Sequence, residues 1–132
     1  MKEMNIPSNI EAEESVIGSM LLTKKALQKG LESLTKNDFY LDAHAKIFEC
    51  IQVIDSKKKP VDLTTLAEEL NHKGWLKQVG GIEYIAEMIN NVPTTANIDE
   101  YINIVSEKSL LRQLIDEATD IVKNSYNVGG DV

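Results

Sequence analysis

The side chains of this sequence that could do chemistry do not converge on one point. Its adjacent carboxylate pairs, Glu13-Glu14 and Glu68-Glu69, fall in stretches with helical periodicity. Neighbouring helical positions do not face each other, so these pairs are not built to grip one substrate. The two histidines, His44 and His72, lie far apart, and neither has a second histidine at ligand spacing. His44 follows Asp42 near a predicted helix start, where a local hydrogen bond or partial burial accounts for it. Ser15 and Ser19 have no base at a recognisable spacing. Cys50, the single cysteine, sits among Ile47, Phe48, Ile51 and Ile54 and reads as a small buried apolar residue. One cysteine excludes an intrachain disulfide and a cysteine zinc site. Gly80-Gly81 and Gly129-Gly130 lack the following Lys-Ser/Thr of a phosphate loop. By itself the chain is not expected to be an enzyme, to bind a cofactor or to ligate a metal.

The charge balance points the same way. The 132 residues carry a formal net charge of −7, with a pI near 4.8. Nucleic-acid binding depends on Lys and Arg neutralising phosphates. Here the lysines are scattered and Arg112 is the one arginine, so direct DNA contact is not expected. Arg112 has Asp116 four residues on, the spacing of a modest surface pair, and is given no functional role. No apolar signal region follows Met1, and no apolar run approaches a membrane span. The expected location is cytoplasmic.

The elements that would position these side chains are all helical. Ser8-Asn9-Ile10-Glu11 fits a capping box, opening a helix whose buried face is Ile10, Ile17, Met20 and Leu21, with Val16 at the edge. Gly18 within it costs about 1 kcal/mol against alanine, which close packing of another helix would explain. Thr23 opens a second helix carrying Ala26, Leu27, Leu31 and Leu34. Phe39-Tyr40 looks like an anchor into the core. Asp42 can cap the next helix, which ends at Lys57-Lys58-Lys59-Pro60, lysines that suit a solvated helix C-terminus. Asp62 caps a helix that Gly74 closes as a C′ glycine. Trp75, Leu76 and Val79 form a hydrophobic connector, and Ile82, Ile85, Ala86 and Ile89 line a further helix after Gly80-Gly81. Pro93 stops it.

From residue 97 to about residue 125 there is neither Pro nor Gly. Asn97, with Glu100 three residues on, caps this stretch. Tyr101, Ile104, Lys108, Leu111, Ile115, Ala118 and Val122 follow a 3-4 spacing, broken in character only by Lys108. A second stripe runs through Ile98, Ile102, Val105, Leu110, Leu114 and Ile121. Such a helix spans roughly 43 Å, beyond a head expected to be about 30 Å across. Its unpartnered apolar face marks an assembly surface. The expected organisation is all-α: a compact head of about five or six helices over residues 1–96, one long helix over 97–126, and a terminal loop over 127–132.

The punctuation residues resemble the start of the DnaB-type bacterial replicative helicases. The similarity is carried by Pro7, Ile10-Glu11-Ala12-Glu13 and Ser15-Val16-Ile17-Gly18, then by Asp38-Phe39-Tyr40, His44 and Ile47-Phe48. It continues through Pro60-Val61-Asp62-Leu63, Thr65-Leu66-Ala67-Glu68, Gly80-Gly81, Tyr84-Ile85, Pro93-Thr94, Ala96-Asn97-Ile98, Tyr101, Lys108, Leu111 and Arg112. The resemblance implies an N-terminal domain made of an all-helical head and a helical hairpin, within a homohexameric ring that unwinds DNA with ATP. The long helix would be the first hairpin arm. The second arm, the linker and the RecA-like motor with its ATP and Mg lie outside this sequence. Implied partners are further copies of the chain, as dimer and homohexamer, the primase C-terminal helicase-binding domain, and a helicase loader.

Carried over position by position, the resemblance makes Tyr84, Ile115 and Ile121 candidates for primase contact. The spacing makes Tyr101, Ile104, Leu111, Ala118 and Val122 the self-association seam. The alternative is a helix-turn-helix DNA-binding regulator using residues 62–72 and 82–90. Against it stand a connector longer than the usual turn and a second helix with no Lys or Arg.

Overall fold

A computed structural model of the chain describes residues 5–130. Six α-helices follow in order: α1 Ile10–Leu22, α2 Lys24–Ser33, α3 Asp42–Ser56, α4 Leu63–His72, α5 Gly81–Asn90 and α6 Ile98–Gly130. Two 3-10 turns, Lys36–Asp38 and Thr95–Asn97, precede α3 and α6. No strand occurs among the described residues. The fold is therefore all-α, as the periodicity predicts.

Helix α1 is the hub, packed against α2, α3, α5 and α6. Val16, Ile17 and Met20 of α1 meet Ile47, Phe48 and Ile51 of α3, Leu66 and Leu70 of α4 and Ile85 and Met88 of α5 in one core. Gly18 permits the α1–α5 contact. A Cβ there would collide with the Met88 carbonyl and lie 2.5 Å from Val92 Cγ2. The expectation of close helix packing at Gly18 is thus met, with α5 as the neighbour.

Local signals explain most helix ends. Thr23 accepts the Ala26 amide at 3.1 Å to start α2, and Asp62 accepts the Thr65 amide at 2.9 Å to start α4. Gly74, at φ 74°, ends α4. The Trp75 amide reaches back to the Leu70 carbonyl and the Gly74 amide to the Asn71 carbonyl, the paired bonds of a Schellman motif. Trp75 then lies under Lys46 and Lys73, each about 5.5 Å from its ring.

Four local expectations are corrected. The α1 cap is Asn9 rather than Ser8, its side chain accepting the Ala12 amide at 2.9 Å. Asp42 is the first residue of α3 and does not cap it. The preceding Leu41 makes no side-chain cap. Asn97 lies inside the 3-10 turn before α6, which Thr94 caps by accepting the Ala96 amide. Finally, α6 continues to Gly130, where a loop was expected from residue 127. Glycine within a helix costs only about 1 kcal/mol and blocks no hydrogen bond, so Gly129 and Gly130 weaken the helix without ending it. Asp131 and Val132 of that expected loop lie outside the described residues, as do residues 1–4 of the head.

Cys50 is fully buried. Burial pushes its thiol up to about 11, and the nearby Glu69 carboxylate adds to the shift. Because the thiolate is the reactive form, a thiol-specific reagent at pH 8 should label Cys50 of the native chain only as the chain unfolds. Rapid stoichiometric labelling of the folded protein would contradict this burial.

Candidate functional site

Helix α6 changes character at Ser109. Up to that point Ile98, Ile102, Val105 and Ser109 are buried in the head. Tyr101 and Ile104 pack at the edge of the same core. The first three turns of α6 thus pack into the head. Of the expected self-association seam, Tyr101 and Ile104 are partly buried against the chain's own core. Leu111, Ala118 and Val122 remain outside. Beyond Ser109 every described side chain of α6 is exposed except Arg112. Leu110, Leu111, Leu114, Ile115, Ile121 and Val122 form an uncovered apolar face, with Ile121 66% exposed.

A polar joint holds the helix where it leaves the head. Arg112 does not pair with Asp116. Its Nη1 donates to the Pro7 carbonyl at 2.8 Å and its Nη2 to the Asp38 carbonyl at 2.7 Å. The guanidinium lies 5.5 Å from the Tyr40 ring, a cation–π distance. One turn earlier, the Ser109 hydroxyl donates to Asp38 Oδ1 at 2.8 Å. The guanidinium has five donors, and here it ties three segments together. Ile115 borders the adjoining groove of about 300 Å³, with Ile6, Asn37, Tyr40 and Asp116. Ile115 and Ile121 thus stand on the free helix, one beside this joint and one well past it.

Tyr84 lies elsewhere, in a groove of about 610 Å³ between α1 and α5 lined by Ile10, Glu11, Glu14, Ser15, Glu87 and Met88. Its ring is partly buried against the core and stacks on His44 at 6.0 Å. Its hydroxyl donates to Glu14 Oε2 at 2.6 Å and meets His44 Nε2 at 2.7 Å. Burial first, then the Glu14 carboxylate, pushes the Tyr84 phenol above its ordinary range, so it stays protonated. On its other side His44 Nδ1 lies 2.7 Å from Glu13 Oε1. Glu13 Oε2 accepts the Tyr40 amide at 2.6 Å, and Oε1 accepts the Leu41 amide at 3.4 Å. Glu13 thus ties α1 to the backbone that leads into α3, and its negative charge suits a helix N-terminus.

Glu13 and His44 are 1% and 0% exposed. Reading His44 as a local hydrogen bond or partial burial near a helix start missed this network. The available signal was the position of Glu13, three residues after Ile10 and four before Ile17, on the apolar face of α1. A carboxylate on a buried stripe needs a partner. The candidate residues do not gather at one point: Tyr84 and Ile115 border different grooves, while Ile121 stands clear of both.

Gly80 and Gly81 adopt left-handed conformations where α5 begins. The helix-turn-helix reading fails. Residues 73–80 separate α4 from α5, and α5 carries only Glu83 and Glu87 as charged groups.

Residues 5–107 match the model of the DnaB-like helicase N-terminal domain. The chain is 45% identical over 120 residues to the replicative DNA helicase DnaC of Bacillus subtilis, covering 91% of the chain and 26% of that protein. It is 41% identical over 120 residues to the DnaB helicase of Mycobacterium leprae, covering 91% of the chain and 20% of that protein. The chain therefore spans about a quarter of the length of these relatives. The crystal structure of the DnaB N-terminal domain from Mycobacterium tuberculosis superposes with a TM-score of 0.92 at 40% identity, covering 97% of this chain and 91% of that one. A DnaB-like replicative helicase described with its interactions with primase aligns with a TM-score of 0.79 at 31% identity, over 88% of this chain and 27% of that one. With a family model across most of its length and a helical architecture shared with a solved member, the chain belongs to the DnaB-like helicase N-terminal domain family.

Proposed function

We propose that this domain is the assembly and primase-docking module of a cytoplasmic hexameric replicative helicase. ATP and Mg act in the motor of the whole protein and not in this domain. The observation that carries the reading is the apolar face of α6 beyond Ser109, left uncovered by the head and held at a defined exit by Arg112. A relative of the same fold is described with its interactions with primase, and this chain offers Tyr84, Ile115 and Ile121 for the equivalent contact. The same helix face supports self-pairing through Leu111, Ala118 and Val122, and a loader is a further candidate partner. Tyr101 and Ile104 are partly buried against the head, so of this seam Leu111 and Val122 are the large side chains fully free to pair, at roughly 1.5–3 kcal/mol each when buried. Association costs roughly 4–15 kcal/mol. The isolated domain should accordingly pair weakly, and stable ring formation should draw on the rest of the helicase.

Titration with a primase C-terminal helicase-binding domain tests the docking. Binding should be detected by calorimetry, and Ile121→Asp should weaken it at least tenfold, about 1.4 kcal/mol, without changing thermal stability, because Ile121 touches no core residue. No heat and no NMR shift at saturating primase domain would refute the docking reading. Unchanged affinity of Ile121→Asp would remove the free helix from it.

A further inference from the structure

Each ring nitrogen of His44 faces one oxygen partner. Tyr84 has one hydroxyl proton, and Glu14 receives it at 2.6 Å. Glu14 borders an open groove, and a carboxylate only accepts. The Tyr84 oxygen therefore offers His44 Nε2 lone pairs alone across 2.7 Å. At the other ring nitrogen, Glu13 already accepts backbone amides at both of its oxygens, so it too faces His44 as an acceptor, at 2.7 Å. A neutral imidazole has a single N–H. One of its two contacts would then set lone pair against lone pair, in a place where no water can relieve it. Two N–H donors satisfy both partners.

We propose that His44 is held in the native fold as an imidazolium, a buried cation clamped between Glu13 and Tyr84, and that it is the positioning residue for the Tyr84 hydroxyl. The cluster then has one cation, His44, between two carboxylates, Glu13 and Glu14, with the phenol of Tyr84 bridging to the second. Glu13 holds the start of α3, His44 sits in the first turn of that helix, and Tyr84 belongs to α5. The charge thereby fixes where α5 presents Tyr84 in its groove. The consequence for docking rests on the reading of Tyr84 as a partner contact; the charge state does not.

Long-range proton–nitrogen NMR of the unaltered chain at pH 7 reads the proposal directly. Both ring nitrogens of His44 should carry protons, each protected from solvent exchange. One protonated and one bare nitrogen would overturn it. Tyr84→Phe keeps the ring and removes the oxygen that Nε2 donates to. The Nε2 proton should then shift and exchange faster while the Nδ1 proton, held by Glu13, changes little. An unaltered Nε2 signal would overturn the positioning role. In a primase-domain titration, His44→Gln and Tyr84→Phe should each weaken binding by roughly tenfold. Unchanged affinity alongside an imidazolium signature would refute the docking role of Tyr84 and leave the charged His44 standing. A neutral His44 refutes the proposal whatever the affinity.

Discussion

Replacing Glu13 by alanine should destabilise the domain by about 3–5 kcal/mol, the cost of removing one partner from a buried charged pair. Against a typical total of roughly 5–15 kcal/mol, the variant would be partly unfolded at 37 °C. Three losses coincide in one side chain. His44, fully buried, loses the acceptor 2.7 Å from its Nδ1. The Tyr40 and Leu41 amides, just before α3, lose the carboxylate that accepts them. The cavity left in α1 cannot collapse freely between Val16 and Ile17, which are themselves fully buried. The measurement is the urea midpoint with an unchanged slope, which isolates stability from a change in compactness. Glu14→Ala is the control. Glu14 shares the Tyr84 hydroxyl but borders open solvent, so water can replace what it supplies and its loss should be much milder. Equal effects of the two substitutions would show that Glu13 does not hold a buried pair.

The second large effect is expected at Gly18, and its sign is informative. On helix propensity alone, Gly18→Ala should stabilise α1 by about 1 kcal/mol. The added Cβ, however, meets the Met88 carbonyl and Val92 Cγ2. A backbone carbonyl cannot rotate away, so α5 itself must move, and overpacking of this kind costs about 1–3 kcal/mol or more. Loss should prevail, and Gly18→Val should be worse. Because α5 carries Tyr84, the same shift should disturb the contact between Tyr84 and His44 Nε2. Gly30 provides the contrast. The three atoms nearest a Cβ there are Met20 Sδ, Cε and Cγ, atoms of a flexible side chain that can move aside. Gly30→Ala should therefore be close to neutral. A Gly18→Ala variant more stable than the parent in thermal unfolding would rule out the close α1–α5 approach.

Much of this molecule was legible before any coordinates. Periodicity placed the helices, and Thr23, Asp62 and Gly74 marked boundaries that the structure keeps. These are interactions between residues three or four apart, so their outcome is written locally. Errors of one residue at Asn9, and of a turn at the end of α6, arose where two neighbouring residues could serve equally or where glycine weakens a helix without stopping it. The long helix was likewise plain from the absence of Pro and Gly over residues 97–125 and from its apolar stripes.

What the sequence by itself determined was the list of elements, the apolar stripes and the family pattern. Only the tertiary structure decided which part of the long stripe is covered. Tyr101 and Tyr126 belong to one continuous helix, yet the first packs at the edge of the core and the second is 78% exposed. The difference is where α1 and α2 end beneath the helix, which no local pattern encodes. The same holds for the polar interior. Glu13, His44 and Tyr84 are separated by 31 and 40 residues, and Arg112 reaches a carbonyl 105 residues away. Hydrogen bonds of that span have no periodicity in sequence, because their geometry exists only once α1, α3, α5 and α6 have packed. The sequence could show that a carboxylate stood on a buried face; only the packed helices could show which histidine answers it.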